Sequence, residues 1–370
     1  MNRKMTYIHQ DSHWPDLQCD TKALGVQLAA VRHRQGLLLG KLSSLGVALR
    51  GEADLATLTL EVVTSSAIEG ERLPAEEVRS SIARRLGIDV AGLSSASRAV
   101  EGVVEMMMDA TQRFEAPLTL ERLLGWHAAL FPTGRTGTRR ITIGAWRTDA
   151  DGPMQVVSGP LGSERVHFEA PAARRLPEEM TRFLDWINGP STLDPVLKAA
   201  FAHFWFVTIH PFDDGNGRIA RAIADLCLAR ADGRRERFYS MSAQIEAERA
   251  EYYRQLERSQ RGELDITSWV EWFLACLDRS FGRAEQTLAR VFHSAWTWER
   301  AHRLGLNERQ RIVLTRLLGD WEGNLTTKQY AVLAKTSHDT ALRDIAALIG
   351  HEVLIRNPGG GRSVSYRLAG

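Results

Sequence analysis

Residues 210–221 read His-Pro-Phe-Asp-Asp-Gly-Asn-Gly-Arg-Ile-Ala-Arg, and no other segment constrains the fold as tightly. Phe201, Phe204, Trp205, Val207 and Thr208 continue an apolar helical pattern that starts at about Val196. His210 precedes Pro211, and a residue before proline is pushed out of the α region, so the helix stops at His210. Asp213-Asp214-Gly215-Asn216-Gly217 has turn composition. A second helix begins near Gly217 and runs to about Arg230 through Ile219, Ile223, Leu226 and Cys227. The chain must therefore make helix, tight turn and helix here, with glycines that let the backbone approach a ligand.

The local chemistry points to an anion. Free N–H groups at a helix entrance, with the positive end of the helix dipole, favour negative charge. Arg218 and Arg221 sit in that first turn, where cations oppose the dipole. A phosphate removes the conflict. His210 is the natural general base, because an unperturbed imidazole titrates near neutrality. Asp214 or Asp213 is the natural ligand for Mg2+, which binds through few carboxylates plus phosphate oxygens. The plainer reading of the same residues is a capping turn with a core histidine and two solvated arginines.

The segment resembles the signature of the Fic family, His-x-Phe-x-(Asp/Glu)-Gly-Asn-Gly-Arg-x-x-Arg, and matches every fixed position. Most Fic proteins transfer AMP from ATP to a hydroxyl side chain of a protein. The resemblance implies His210 as the base for a Ser, Thr or Tyr hydroxyl and Asp214 as the Mg2+ ligand. It makes Gly215, Asn216 and Gly217 the anion hole for the α- and β-phosphates. Arg218 and Arg221 hold the rest of the triphosphate, Arg221 the γ-phosphate.

Thr64-Ser65-Ser66-Ala67-Ile68-Glu69-Gly70 ends a helix that starts at about Asp54. Ser65 and Glu69 are four apart and share a face, and Gly70 suits a helix C-terminus. Beside the first motif this stretch resembles the family's inhibitory signature, (Ser/Thr)-x-x-x-Glu-(Gly/Asn), through Ser65, Glu69 and Gly70. The resemblance implies that Glu69 pairs with Arg221 in the place of the γ-phosphate and holds the resting enzyme off. In some relatives the same glutamate assists removal of AMP, so a de-AMPylating enzyme is the alternative reading.

Met154 to Phe168 reads as a hairpin with a Gly/Pro tip. In the family such a flap, here Gln155, Val156 and Val157, aligns the target by strand addition. Gly144 to Arg147 before it, and Pro171 with a helix to Asn188 after it, fit the family layout. Tyr252 and Tyr253, on an amphipathic helix with Arg249 and Leu256, are assigned by the resemblance to the adenine pocket; helical spacing alone also fits core residues.

A chain of 370 residues accommodates two or three domains. The net charge of +2 gives no strong case for nucleic acid. No apolar run reaches the roughly 20 residues of a membrane span, and the first residues lack the apolar region of a signal peptide. Cys19, Cys227 and Cys276 have no metal-type spacing. A reducing cytoplasm, which supplies ATP and Mg2+, is the expected setting.

The expected fold is mainly α: a helical Fic core with a small β-hairpin flap, after an N-terminal helical region and before a winged-helix domain. The boundaries are 1–117, with the inhibitory helix at about 54–70, then 118–283 for the core, 284–305 for a linking helix carrying Trp296 and Trp298, and 306–370 for the winged helix. Residues up to about 20 read as a polar and aromatic tail on the surface. The last module has three helical patterns and a two-stranded wing around Pro358 to Arg362. Its third helix, with His338, Thr340 and Arg343, would enter a DNA groove if the module binds DNA. Protein binding or homodimerisation is the other use. The expected partners are ATP and a hydroxyl-bearing protein, the chain itself included. A DNA-binding regulator whose core senses nucleotide is the reading from a different class.

Overall fold

The computed structural model describes residues 7–43, 45–88, 95–150, 152–159, 162–318, 321, 323–358 and 364–369, and gives the backbone alone at 48, 287, 290–296 and 298–302. The flap tip at Pro160 and Leu161, the wing tip at 359–362, and the side chains of Trp296 and Trp298 lie outside the described residues. The chain forms two compact units, Met1–Glu285 and Gln286–Gly370.

The first unit opens with α1 (Thr21–Ser43), α2 (Val47–Ile68), α3 (Ala75–Leu86), α4 (Arg98–Gln112) and α5 (Leu120–Leu130). Two short antiparallel hairpins follow: β1 (Arg135–Thr136) with β2 (Arg139–Arg140), and β3 (Gln155–Ser158) with β4 (Arg165–Glu169). Then come α6 (Leu176–Asn188), α7 (Pro195–Ile209), α8 (Asn216–Asp232), α9 (Met241–Ala247), α10 (Arg249–Gln260) and α11 (Thr267–Arg303), which carries the chain into the second unit. The Fic-type expectation of a mainly helical fold with small hairpins holds.

Helix α7 forms the centre of the core because it is apolar all round, and such a helix must be enclosed. Asp194 caps it by accepting from the Val196 N–H at 2.8 Å, and Pro195 starts it with a preset φ. Phe204 and Phe206 are fully buried, each worth about 2–3 kcal/mol by burial. Replacing Phe204 by alanine would cost about 3–5 kcal/mol once the cavity is included. Trp269 of α11 closes one side, its indole N–H donating to the Ala200 carbonyl at 2.9 Å. Helix α8 packs along α7, and α2 packs against α3, α9, α4 and α8.

Two expectations need correcting. Residues 7–20 are no surface tail: Tyr7, Ile8 and Trp14 are buried, and the Trp14 indole donates to Glu179 at 2.8 Å. The aromatic side chains follow the core because a buried indole needs one acceptor, which α6 supplies. The inhibitory helix begins at Val47 rather than Asp54 and runs through Gly51, at a propensity cost of about 1 kcal/mol that packing overrides.

The second unit contains α12 (Glu308–Leu318), β5 (Leu325–Thr326), α13 (Thr327–Leu333), α14 (His338–Gly350), β6 (Leu354–Arg356) and β7 (Ser365–Leu368). Val313, Leu314, Tyr330, Ile345 and Leu354 build its core. Thr326 and Gln329 form a capping box at the start of α13. The sheet has three strands in the order β5-β7-β6, one more than the expected wing. The extra strand arises because Leu325 and Thr326 pair with Tyr366 and Ser365 just before the cap. Among the described residues no helix is long and apolar enough to cross a membrane.

Candidate active site

The site is the α7–α8 turn. His210 ends α7 in the left-handed conformation, φ 53° and ψ 58°. Arg147, 2% exposed, fixes that strained residue: its Nε donates to the His210 carbonyl at 2.7 Å and its Nη2 to the Pro171 carbonyl at 2.6 Å. The Arg147 backbone N–H also donates to the Pro211 carbonyl at 3.0 Å. The His210 ring donates from Nδ1 to the Val207 carbonyl at 3.2 Å, which leaves Nε2 as the acceptor. Burial lowers its pKa to about 4, so the ring is neutral at neutral pH.

Asn216 builds the turn. Its Oδ1 accepts from the Phe212 N–H at 3.0 Å and its Nδ2 donates to the Phe212 carbonyl at 2.8 Å. Both polar ends of the amide are thus taken, and what Asn216 offers a ligand is its backbone N–H. No side chain caps α8, so the first-turn N–H groups of Asn216, Gly217 and Arg218 have no intrahelical partner. Asp214 is half-buried, and its Oδ1 accepts from the Gly215 N–H at 2.6 Å. Asp213 is turned elsewhere, accepting from the Thr142 N–H at 2.9 Å. One carboxylate at a phosphate cradle fits Mg2+, which takes most of its other ligands from phosphate and water.

The end of α2 covers this cradle. Helix α2 closes in a Schellman motif: Gly70, at φ 84°, donates its N–H to Ala67 at 2.9 Å, and Glu71 donates its own to Ser66 at 3.0 Å. The motif turns two carboxylates toward α8. Glu69 Oε1 accepts from Arg221 Nη1 at 2.9 Å, while Ser65 takes the Arg221 Nε on its hydroxyl at 2.9 Å and the Nη2 on its carbonyl at 2.7 Å. A Cβ at Gly217 would lie 2.2 Å from Glu69 Oε1, so the carboxylate rests directly on the glycine. Glu71 Oε2 accepts from Arg218 Nη1 at 2.5 Å. The Arg218 guanidinium lies 5.0 Å over the Phe131 ring, and its Nε is buried without a partner. Nothing in the spacing of Glu71 or Phe131 singled them out in the sequence.

Deeper along the same interface lies a second layer. Glu61 precedes Ser65 by one turn on α2, and Asp225 follows Arg221 by one turn on α8. The Glu61 Oε2 accepts from the Ser240 hydroxyl at 2.6 Å, while Asp225 Oδ1 accepts from Arg237 at 2.5 Å. The remaining carboxylate oxygens have no other partner and face each other. Burial first, then the neighbouring Glu61, pushes the Asp225 carboxyl well above the usual carboxylate range.

A cavity of about 970 Å³ gathers His210, Glu69, Gly217, Val156, Val157, Tyr252 and Tyr253. The flap hairpin carries a bulge between Val156 and Val157, and Val157 is 47% exposed. His167 of β4 joins the flap to α10 through Glu257, at 2.7 Å. Tyr252 is buried with its hydroxyl against His203 at 2.9 Å, so it is largely a core residue at the cavity wall. Tyr253 presents its ring to the cavity and its hydroxyl reaches Glu69 at 3.4 Å. Cys227 and Cys276 are buried, and burial raises both thiols.

The α8 entrance thus sets two arginines and open backbone N–H groups beside a neutral, anchored histidine, an arrangement whose charge suits an anion. Residues 117–228 match the Fic/DOC family, and residues 7–88 match a domain of unknown function (DUF4172). Residues 117–228 of the chain thus form a Fic domain. The chain is 35% identical over 114 residues to protein adenylyltransferase fic-1 of Caenorhabditis briggsae, covering 30% of this chain and 21% of that protein. It is 25% identical over 227 residues to protein adenylyltransferase Fic of Drosophila willistoni, covering 58% and 39%. The chain thus spans well under half the length of these relatives. Among solved structures, a Fic family protein from Desulfovibrio desulfuricans shares the fold at a TM-score of 0.51 and 23% identity, covering 93% of this chain and 96% of that one. A Fic domain containing signaling protein from Bacteroides thetaiotaomicron scores 0.51 at 22% identity, covering 69% and 94%.

Proposed function

We propose that this chain is an autoinhibited protein adenylyltransferase, moving AMP from Mg-ATP to a protein hydroxyl. The observation that carries the reading is the ion pair between Glu69 and Arg221 over the open N-terminus of α8. It places a carboxylate where the motif would hold a phosphate. In the released state, the α8 N–H groups and the two arginines bind the triphosphate, and Asp214 would hold Mg2+, which neutralises phosphate charge. His210 Nε2 takes the proton of the target hydroxyl. The hydroxyl oxygen bonds to the α-phosphorus as the bond to pyrophosphate breaks. Positioning and charge stabilisation do most of the work in such transfers.

The inhibition has two contacts in this reading. Glu69 holds Arg221 and Glu71 holds Arg218, so the end of α2 takes both guanidiniums that the triphosphate needs. Intact-mass spectrometry of the Glu69→Gly protein with Mg-ATP and a cell lysate tests the activity. A mass gain of one AMP on the chain or on a lysate protein is expected, on a Ser, Thr or Tyr. Absence of AMP from every protein in the mixture would contradict the reading.

The second unit gives DNA binding little support. The exposed face of α14 offers His338 and Arg343 beside Asp339, and no strongly basic helix.

A further inference from the structure

The short hairpin β1–β2 carries three arginines in six residues, Arg135, Arg139 and Arg140, all exposed. Arg135 and Arg140 are directly opposed across the ladder. Like charges so placed destabilise a strand pair. Among the described residues, none of the three is paired with a carboxylate. A cavity of about 440 Å³ opens beside them, lined by Arg139, Arg140, Thr148, Gln155 and Asp213. The Asp213 carboxylate, which accepts from the Thr142 N–H, is the acidic group of this lining and makes no ion pair with the arginines.

The position of this cavity matters more than its charge. Gln155, the first residue of β3, lines it, whereas Val156, Val157 and Ser158 line the larger cavity with His210. Strand β3 therefore runs from one cavity into the other. It is paired only with β4 among the described residues, so its other edge is open. A segment laid along that edge advances about 3.3 Å per residue. With its hydroxyl beside His210, residues about two to four positions away would reach the arginines.

We propose that the β1–β2 arginines bind an acidic side chain of the protein substrate, a few residues from the hydroxyl that is modified. The inference rests on the adenylyltransferase reading for the role of that hydroxyl. The substrate class is then a hydroxyl in an extended, acid-flanked segment. Among the described residues no carboxylate pairs with the hairpin arginines, so a substrate acid supplies them an ion pair, which makes docking dependent on ionic strength.

The test is direct binding, read by fluorescence anisotropy on the Glu69→Gly protein. The probes are two short fluorescein-labelled peptides with a central threonine, one flanked by glutamates and the other by lysines. The glutamate peptide should bind about tenfold or more tightly at low salt, with the advantage shrinking as salt rises. The Arg139→Glu/Arg140→Glu protein should reverse the preference, and saturating ATP should leave the peptide bound. Equal binding of the two peptides, an unchanged preference in the double variant, or displacement of the peptide by ATP or inorganic phosphate would overturn the proposal. Anisotropy needs no AMP transfer, so a protein that discriminates the peptides but never gains AMP would sink the adenylyltransferase reading and leave the docking site standing.

Discussion

Glu71→Ala separates the two contacts of the α2 cap by magnitude. The Glu71 side chain is 50% exposed where it meets an Arg218 that is 5% exposed, while Glu69 is 33% exposed and meets an Arg221 that is 2% exposed, so the difference lies in the carboxylates. An exposed ion pair contributes about 0.2–1 kcal/mol. A hydrogen bond between charged groups contributes about 1.5–3 kcal/mol when shielded, and the partial exposure of Glu69 reduces that to roughly 1–2 kcal/mol. At about 1.4 kcal/mol per tenfold, Glu71→Ala should tighten ATP binding by about 1.4- to 5-fold, and Glu69→Ala by about 5- to 30-fold. The double change should exceed either, without strict additivity, because one Schellman turn presents both carboxylates. The assay is isothermal titration with Mg-ATP in a His210→Ala background, which removes turnover. A Glu71→Ala effect as large as that of Glu69→Ala would refute the burial argument. No effect at all would refute the second contact.

The remaining predictions concern protons. His210 must be neutral to accept the hydroxyl proton, and burial holds its pKa down to about 4, so the Glu69→Gly protein should keep its single-turnover rate well below pH 6. An acid limb with a midpoint near 6.5, the ordinary imidazole value, would contradict the buried base. The Asp225 carboxyl keeps its proton in the folded state after the unfolded chain has lost its own. Its stabilisation is therefore full at low pH and drains as pH rises through the raised folded-state value. Asp54, raised to about 7 chiefly by burial, adds a slope of the same sign. Glu61→Gln replaces a neighbouring carboxylate with an N–H donor to Asp225, so its thermal midpoint should fall less steeply than wild type as pH rises above the ordinary carboxylate range. Parallel slopes for the two proteins would show that Glu61 does not raise the Asp225 carboxyl.

The cradle was legible in the sequence because it is local. Pro211 stops α7, the glycines open the turn, and the arginines fall in the first turn of α8, all within twelve consecutive positions. Glu69 was legible only through the resemblance, since a glutamate at a helix end is ordinary by itself. Glu71, Phe131 and Arg147 were not legible, because their roles come from tertiary placement. Phe131 lies beneath Arg218, and Arg147 reaches the His210 carbonyl from a loop far away in sequence. The Glu61–Asp225 pair escaped for the same reason: each acid sits on a helix face that looks merely amphipathic until the faces meet. Tyr252 and Tyr253 share a helix, yet only the structure shows one locked against His203 and the other facing the cavity. The start of α2 lies at Val47, seven residues before the expected Asp54, because the helix continues through Gly51.

The central claim is that Glu69 restrains an AMP transfer carried out by His210. The most direct measurement is AMP incorporation from α-labelled ATP and Mg2+, into the protein itself and into a cell lysate, by wild type, Glu69→Gly and Glu69→Gly/His210→Ala side by side. Weak label with wild type, strong label with the single variant and none with the double variant is the predicted result. Equal label in wild type and Glu69→Gly, or label that survives loss of His210, would contradict it.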